Sequence, residues 1–448
     1  AARLLPGKIH PVINYSFESS EKAYQFEHFT SGVEYGGEKL QTIVTIGRRE
    51  DHLNTEDALV LLSRGYFSEF DLRFQTHKGW NQSLIYRKRI KTQMLEEKDL
   101  DYDLAQARIF FRRPNHPLRL DVKIKLEETL TENRATVYDS VGIGLGTYRY
   151  DPQFEEYVSD PNGAYIAYTI LTGSRKPTTQ FEGIQRLEYD FGKRLNSKFK
   201  DIKYRLDWLW DFNGQNFSVN RYGEDDLNAS TIIRSRSKLR HEWDYVNRTG
   251  RQIRTWWLGE KNLNNLDPRG ADLRRNTELA VDWLEPISAN THAVVKLNQH
   301  DANVESGFSH SRDRSAQGTW AEIGIKKRFS SLWQTEALLQ NGYDAGQHQM
   351  SNYSASLHGI RLDILHFFSS KGRLQGRFEW ATVGLDGAAA FPPPEAVRGH
   401  ALGDTRKVNV QGHILLRQNF SINVTINYIS DIRYDNFINI TGEIRAYF

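Results

Sequence analysis

The 448-residue chain contains no cysteine, 2 methionines and 12 prolines. Without cysteine there is no disulfide, no thiolate ligand and no thiol nucleophile, and the redox compartment stays open. Neither sign of charge dominates. The 59 Lys and Arg stand against 56 Asp and Glu, a formal +3, so no polycationic footprint argues for nucleic acid. Long hydrophobic runs are also missing. At a mean hydropathy of −0.63, no stretch approaches the ~18–20 apolar residues of a helical membrane span. A transmembrane β-barrel stays open, because each strand gives lipid only half its residues. The chain opens Ala-Ala-Arg-Leu-Leu-Pro with no apolar leader segment, which reads as a removed signal or, preferably, a piece of a longer polypeptide.

What the chain has in quantity is alternation. Strands send successive side chains to opposite faces, and residue after residue from 178 onward obeys that period. Ile202, Tyr204, Leu206, Trp208, Trp210 and Phe212 oppose Lys203, Arg205, Asp207 and Asp211. Leu374, Gly376, Phe378 and Trp380 oppose Arg373, Gln375, Arg377 and Glu379, and Phe420, Ile422, Val424, Ile426 and Tyr428 oppose Ser421, Asn423, Thr425 and Asn427. Residues 1–140 alternate less regularly, most clearly at Leu118, Leu120, Val122, Ile124 and Leu126. Each run has about the 9–11 residues of a tilted transmembrane strand.

The connections carry a second signal. Short ones are expected near 193–200, 246–250, 285–290, 329–331, 368–371 and 418–419. Longer ones alternate with them near 213–231, 260–275, 299–318, 341–352, 383–405 and 430–435. An up-and-down barrel has that rhythm, with short periplasmic turns and longer outer loops. The predicted fold is therefore all-β, a single up-and-down antiparallel transmembrane β-barrel of roughly 20–24 strands over residues 1–448. Residues 141–163, rich in glycine and Asp-Pro, read as an insertion on the periplasmic side, and 164–448 as regular barrel strands.

The last strand ends the chain on an aromatic. Ile438, Ile440, Gly442, Ile444, Ala446 and Phe448 share one face, opposite Asn439, Thr441, Glu443, Arg445 and Tyr447. This resembles bacterial outer-membrane β-barrel proteins, whose terminal strand is apolar on one face, often carries a glycine and closes on Phe or Trp. The resemblance implies a Gram-negative outer-membrane location. It also implies that Gly442, Ile444, Ala446 and Phe448 form the strand read by the barrel-assembly machinery. A Gly-x-Gly-x-Gly-x-Tyr at 142–148, a Tyr-Val-x-Asp-Pro-x-Gly at 157–163 and Arg445-Ala-Tyr-Phe448 resemble a strand-rich C-terminal region of large bacterial envelope proteins. That likeness implies a longer parent protein and supplies no activity.

Motifs of catalysis are weak. Gly142, Gly144 and Gly146 lack the following Lys-Ser/Thr of a phosphate loop, and His241-Glu242 lacks the second His of a zinc protease. No Gly-x-Ser-x-Gly elbow occurs. The spacing of Asp151, Glu155, Glu156 and Asp160 matches no Ca²⁺ loop. His300, His310, His348 and His400 are expected on outer-loop surfaces. No enzyme activity, metal or organic cofactor is expected.

The polar faces carry the remaining functional signal. Arg234, Arg236, Lys238 and Arg240 form a basic row, joined by Lys203, Arg205, Arg373 and Arg377. Asp207, Glu242, Asp244, Glu278, Asp282, Glu322, Glu379 and Glu443 share these faces. They are either cross-strand pairs in a wet interior or a pore wall that favours anions. Trp208, Trp210, Trp283 and Trp380 are expected near strand ends as an aromatic girdle. The function expected is an outer-membrane pore or translocation conduit with a charged, partly basic lumen. The alternative is a plugged barrel that anchors surface loops or subunits. A soluble β-sandwich or a barrel-embedded hydrolase ranks below both. Expected partners are outer-membrane lipid, the assembly machinery and further envelope subunits or upstream domains.

Overall fold

Alternation along the sequence becomes pleat in the fold. A computed structural model describes residues 8–446 apart from 21–23, 55–58, 77, 94–99, 143–145, 153–155, 195–198, 216, 218–230, 267–269, 308–311, 369–370, 418–419 and 433. The first strands are β1 Ile9–Ser19, β2 Tyr24–Gly36, β3 Leu40–Asn54, β4 Leu59–Gln75, β5 Trp80–Gln93, β6 Leu100–Arg112 and β7 Leu118–Ser140. Next come β8 Gly146–Asp151, β9 Glu156–Gly163, β10 Tyr165–Asp190, β11 Ile202–Gly214, β12 Ile232–Val246, β13 Gln252–Asn264 and β14 Asp272–Ser288. The last are β15 Thr291–Ser306, β16 Arg314–Arg328, β17 Trp333–His348, β18 Ser351–Phe367, β19 Gly372–Gly387, β20 Gly403–Arg417, β21 Phe420–Asp431 and β22 Tyr434–Ala446. All belong to one 22-stranded sheet. Its ladders are antiparallel between sequence neighbours from β1 to β7 and again from β14 to β22. The fold class is the all-β, up-and-down antiparallel arrangement that the sequence predicts.

The insertion is built as a hairpin of its own. β10 pairs with β7 from Tyr165↔Ser140 onward, so β8 and β9 form a hairpin set into the β7–β10 connection. Tyr157 stacks on Tyr138 with ring centres 4.0 Å apart and meets Tyr165 edge-on at 5.0 Å. Counted along the alternating strands, this connection belongs with the longer series that includes 215–231 and 265–271. The 146–163 hairpin leaves the up-and-down alternation of β7 and β10 unchanged.

Two expected long connections also shrink. β17 continues to His348 and β18 starts at Ser351, leaving only Gln349 and Met350 where 341–352 reads as a loop. Both have positive φ, 51° and 64°, as a two-residue hairpin turn matched to strand twist requires. The 299–318 connection shortens to 307–313.

The chain divides into two compact units. Unit 1 holds Ala1–Tyr189, Leu206–Lys238 and Asn262–Ala271; unit 2 holds Asp190–Arg205, Leu239–Lys261 and Asp272–Phe448. In unit 1, Val33, Val44, Phe70 and Tyr86 stand side by side across four strands. On the other face, Arg108 pairs with Asp121 at 2.8 Å and Lys123 with Glu182 at 3.5 Å. In unit 2, Val295, Ile323, Leu339, Ile360 and Trp380 form one row across five strands. Ile323 and Leu339 are 55% and 66% exposed.

Candidate functional site

The opposite face of unit 2 holds the densest polar arrangement among the described residues. Strand register places Lys296 beside Glu322 and Glu322 beside Gln340, on the face away from Ile323 and Leu339. Glu322 has a side chain only 1% exposed. Its carboxylate accepts from Arg361 Nη1 at 2.8 Å, Arg398 Nη1 at 3.2 Å, Gln340 Nε2 at 3.2 Å and Trp320 Nε1 at 3.3 Å. Lys296 Nζ lies 3.6 Å away. A buried carboxylate is tolerated when paired and hydrogen-bonded in this way. Around it, Lys296 pairs with Glu336 at 2.9 Å, Arg361 with Asp363 at 3.0 Å and Arg377 with Asp363 at 2.6 Å.

Arg398 reaches this wall from a connection, not a strand. Residues 388–402, between β19 and β20, fold over the polar face of β16–β19. Ala396 and Val397 are fully buried there with Trp320, Tyr353, Leu357, Ala381 and Val383. Arg314 donates to both carboxylate oxygens of Glu395 at 2.8 and 2.9 Å. Val397 N donates to Asp344 at 2.6 Å. Arg398 lies over the Trp320 ring at 4.3 Å, a cation–π contact. Val397 and Arg398 both have left-handed backbone, φ 42° and 52°, a conformation that costs a non-glycine residue energy and persists where surrounding contacts fix it. Desolvation lowers the proton affinity of Arg398, against the opposing pull of the nearby Glu322.

Three of the four histidines expected on loop surfaces are elsewhere. His300 and His348 are on β15 and β17, and His300 pairs with Asp344 at 3.0 Å. His400 is buried against Glu379 at 3.4 Å. His310 lies outside the described residues. The strands run further than the apolar pattern suggests, and the 388–402 loop folds onto the polar face of its own unit; these two effects account for the difference.

The expected basic row is largely paired. Arg234 pairs with Asp211, Lys203 with Asp190 at 3.9 Å and Arg377 with Asp363. Arg205 and Arg240 both reach Glu242, at 3.2 and 2.6 Å. Arg236 and Lys238 make contacts of their own. Arg373 has no ion pair among the described residues. Of the expected girdle, Trp283 and Trp380 are exposed on the apolar face. Trp208 packs edge-on against Trp210, and Trp210 lies 5.9 Å from Phe181. Trp380 and Trp208 sit mid-strand rather than at strand ends. Beyond Trp380 the same face of β19 turns polar at Thr382 and Asp386, so the apolar band is shorter than the strand. Gly442, Ile444 and Ala446 pair with Val424, Ile422 and Phe420; Phe448 lies outside the described residues. Gly144, Glu155 and the side chains of Asp151, Glu156 and Asp160 lie outside them too. No group of three or more potential metal ligands occurs among the described residues.

Lys296, Arg361, Arg398 and Asp344 were not singled out by sequence reasoning. Their only sequence signal is charge; strand register brings Lys296, Arg361 and Asp344 to one face, and the 388–402 loop brings Arg398.

No family model matches the chain, and no curated protein matches it. Among solved structures, the chain is similar to the siderophore receptor PirA from Pseudomonas aeruginosa at 9% identity and TM-score 0.40. That match covers 97% of this chain and 72% of that one. It is similar to PirA from Acinetobacter baumannii at 8% identity and TM-score 0.33, covering 99% and 81%. The FrpB iron transporter from Neisseria meningitidis follows at 9% identity and TM-score 0.35, covering 98% and 73%.

Proposed function

We propose that the chain is the membrane-embedded barrel of a Gram-negative outer-membrane protein, and that its polar face lines a conduit narrowed by the 388–402 loop. One observation carries this reading: each unit shows exposed Ile, Leu, Val and aromatic side chains on one face and cross-strand ion pairs on the other. Water would not support rows such as Val295, Ile323, Leu339, Ile360 and Trp380 at this exposure. Lipid would, and a sheet spanning lipid keeps its polar groups on the lumen side. The ion pairs of Arg234, Arg205, Arg240 and Arg377 favour ion pairing over a selective basic row at those positions. The similar solved structures named above are receptors and a transporter, in keeping with a transport role without fixing a substrate.

A second reading, a plugged barrel that anchors surface loops or partner subunits, draws on the buried core under Ala396 and Val397. Planar-bilayer recording on detergent-folded protein separates the two. Stable conductance steps, with a mobility shift on boiling to verify the folded sheet, support the conduit. A folded, heat-modifiable protein without conductance supports the plugged form.

A further inference from the structure

A recess on the polar face of unit 1 has chemistry that the conduit reading does not use. It is a cavity of about 310 Å³ lined by His28, Arg49, Asp51, Gly65, Phe67, Arg89 and Lys91. Strand register builds it: Arg49 pairs with Gly65 and Gly65 with Lys91, while Phe67 pairs with Arg89 one residue pair along. Gly65 forms the floor. A Cβ there would lie 3.8 Å from its nearest neighbours, both backbone carbonyl oxygens, so the missing side chain leaves open space between the cations.

The charge in the recess is unbalanced. Asp51 is its one carboxylate, and it is shared: Arg49 Nε donates at 2.8 Å, Ser63 Oγ at 2.8 Å, and Lys91 Nζ lies 3.6 Å away. Arg49 is held over Phe26 at 4.4 Å. Arg89 is exposed and has no ion-pair partner among the described residues. The next carboxylates are engaged elsewhere, Glu69 by Arg87 at 2.8 Å and Glu127 by Lys125 and Tyr102. Three cations against one carboxylate leave a surplus of two positive charges around a floor that has no side chain.

We propose that this recess binds a doubly charged oxyanion, a phosphate group either free or esterified to a small solute. Arg49 and Arg89 offer planar donors from neighbouring rows, Lys91 offers a point charge, and a tetrahedral oxyanion accepts from several such donors at once. The recess is present whether or not the polar face lines an open conduit, so its test is read separately from conductance.

The test is ³¹P NMR titration of the detergent-folded full chain with inorganic phosphate and with glycerol 3-phosphate, using nitrate as a monovalent competitor. Saturable phosphate binding is expected, with nitrate at least tenfold weaker. Binding of both phosphate forms assigns the shared group; binding of the ester alone assigns a phosphorylated solute. Arg89→Ala is expected to weaken phosphate at least tenfold. Gly65→Leu, which keeps every charge and fills the floor, is expected to weaken it comparably, while Arg445→Ala leaves it unchanged. The boiling shift verifies that each variant is folded. No saturable binding to the folded wild type, equal affinity for nitrate, or wild-type affinity in folded Arg89→Ala would overturn the proposal.

Discussion

Replacing Glu322 by glutamine tests the buried wall of unit 2 with almost no change in volume. Three cations then lose one shared counter-charge. Lys296 keeps Glu336 at 2.9 Å, and Arg361 keeps Asp363 at 3.0 Å with Glu336 at 3.7 Å. Arg398 loses its only ion pair among the described residues and retains the Trp320 ring. Breaking a buried ion pair by removing one partner costs about 3–5 kcal/mol. Because two of the three cations keep carboxylates, the expected loss is lower, about 2–3 kcal/mol. The assay is urea unfolding in lipid vesicles followed by tryptophan fluorescence. Glu443→Gln is the reference, since that residue's pair with Arg445 is exposed on β22 and its removal should leave the midpoint unchanged. A Glu322→Gln midpoint that moves no further than the Glu443→Gln midpoint would refute the claim that Glu322 organises this wall.

Other outcomes follow from the same geometry. Glu395→Ala removes both Arg314 hydrogen bonds and should weaken the loop's attachment by about 1.5–3 kcal/mol, read as faster amide exchange at 396–399 and larger conductance steps. Gly342→Ala would place a Cβ 2.5 Å from Trp320 Cε3 and should destabilise unit 2 by about 1–3 kcal/mol, measured by the same urea titration. Leu339→Arg puts a cation on the apolar face and should cost roughly 2–4 kcal/mol of folding into vesicles if that position lies near the midplane. Gln349→Asn/Met350→Gly supplies the residues a two-residue turn of positive φ favours and should raise stability, because the left-handed strain relieved, about 1–3 kcal/mol per residue, exceeds the unfolded-chain entropy that glycine adds, visible as a higher urea midpoint.

The sheet was legible because its physics is local: one residue in two is apolar, and that period survives any uncertainty in strand ends. The turn at Gln349 and Met350 was not. Neither residue carries the usual Asn-Gly signal, and the polar, glycine-bearing stretch before it resembles a loop. Gly342 is there for another reason, since it leaves room for the Trp320 ring. The candidate site was less legible still. Glu322 stood out only as one acid among many, because Lys296, Arg361 and Arg398 come from three other segments of the chain. Strand register and a loop folded onto the polar face join them, and neither is written in a local pattern. The basic row at 234–240 shows the converse. Its spacing is plain in the sequence, but the partners that neutralise Arg234 and Arg240 include Asp211 on another strand.

The central claim is that the face bearing Leu339 meets lipid and the face bearing Gln340 does not. The cysteine-free chain permits single nitroxide labels without background, placed in turn at Glu336, Ala337, Leu338, Leu339 and Gln340 of vesicle-inserted protein. Their collision rates with oxygen and with a water-soluble nickel chelate are then compared. The account predicts a two-residue alternation, with oxygen favoured at 337 and 339 and suppressed at 336, 338 and 340. Collision rates without that alternation, or labels at 337 and 339 that favour the nickel chelate, would contradict it.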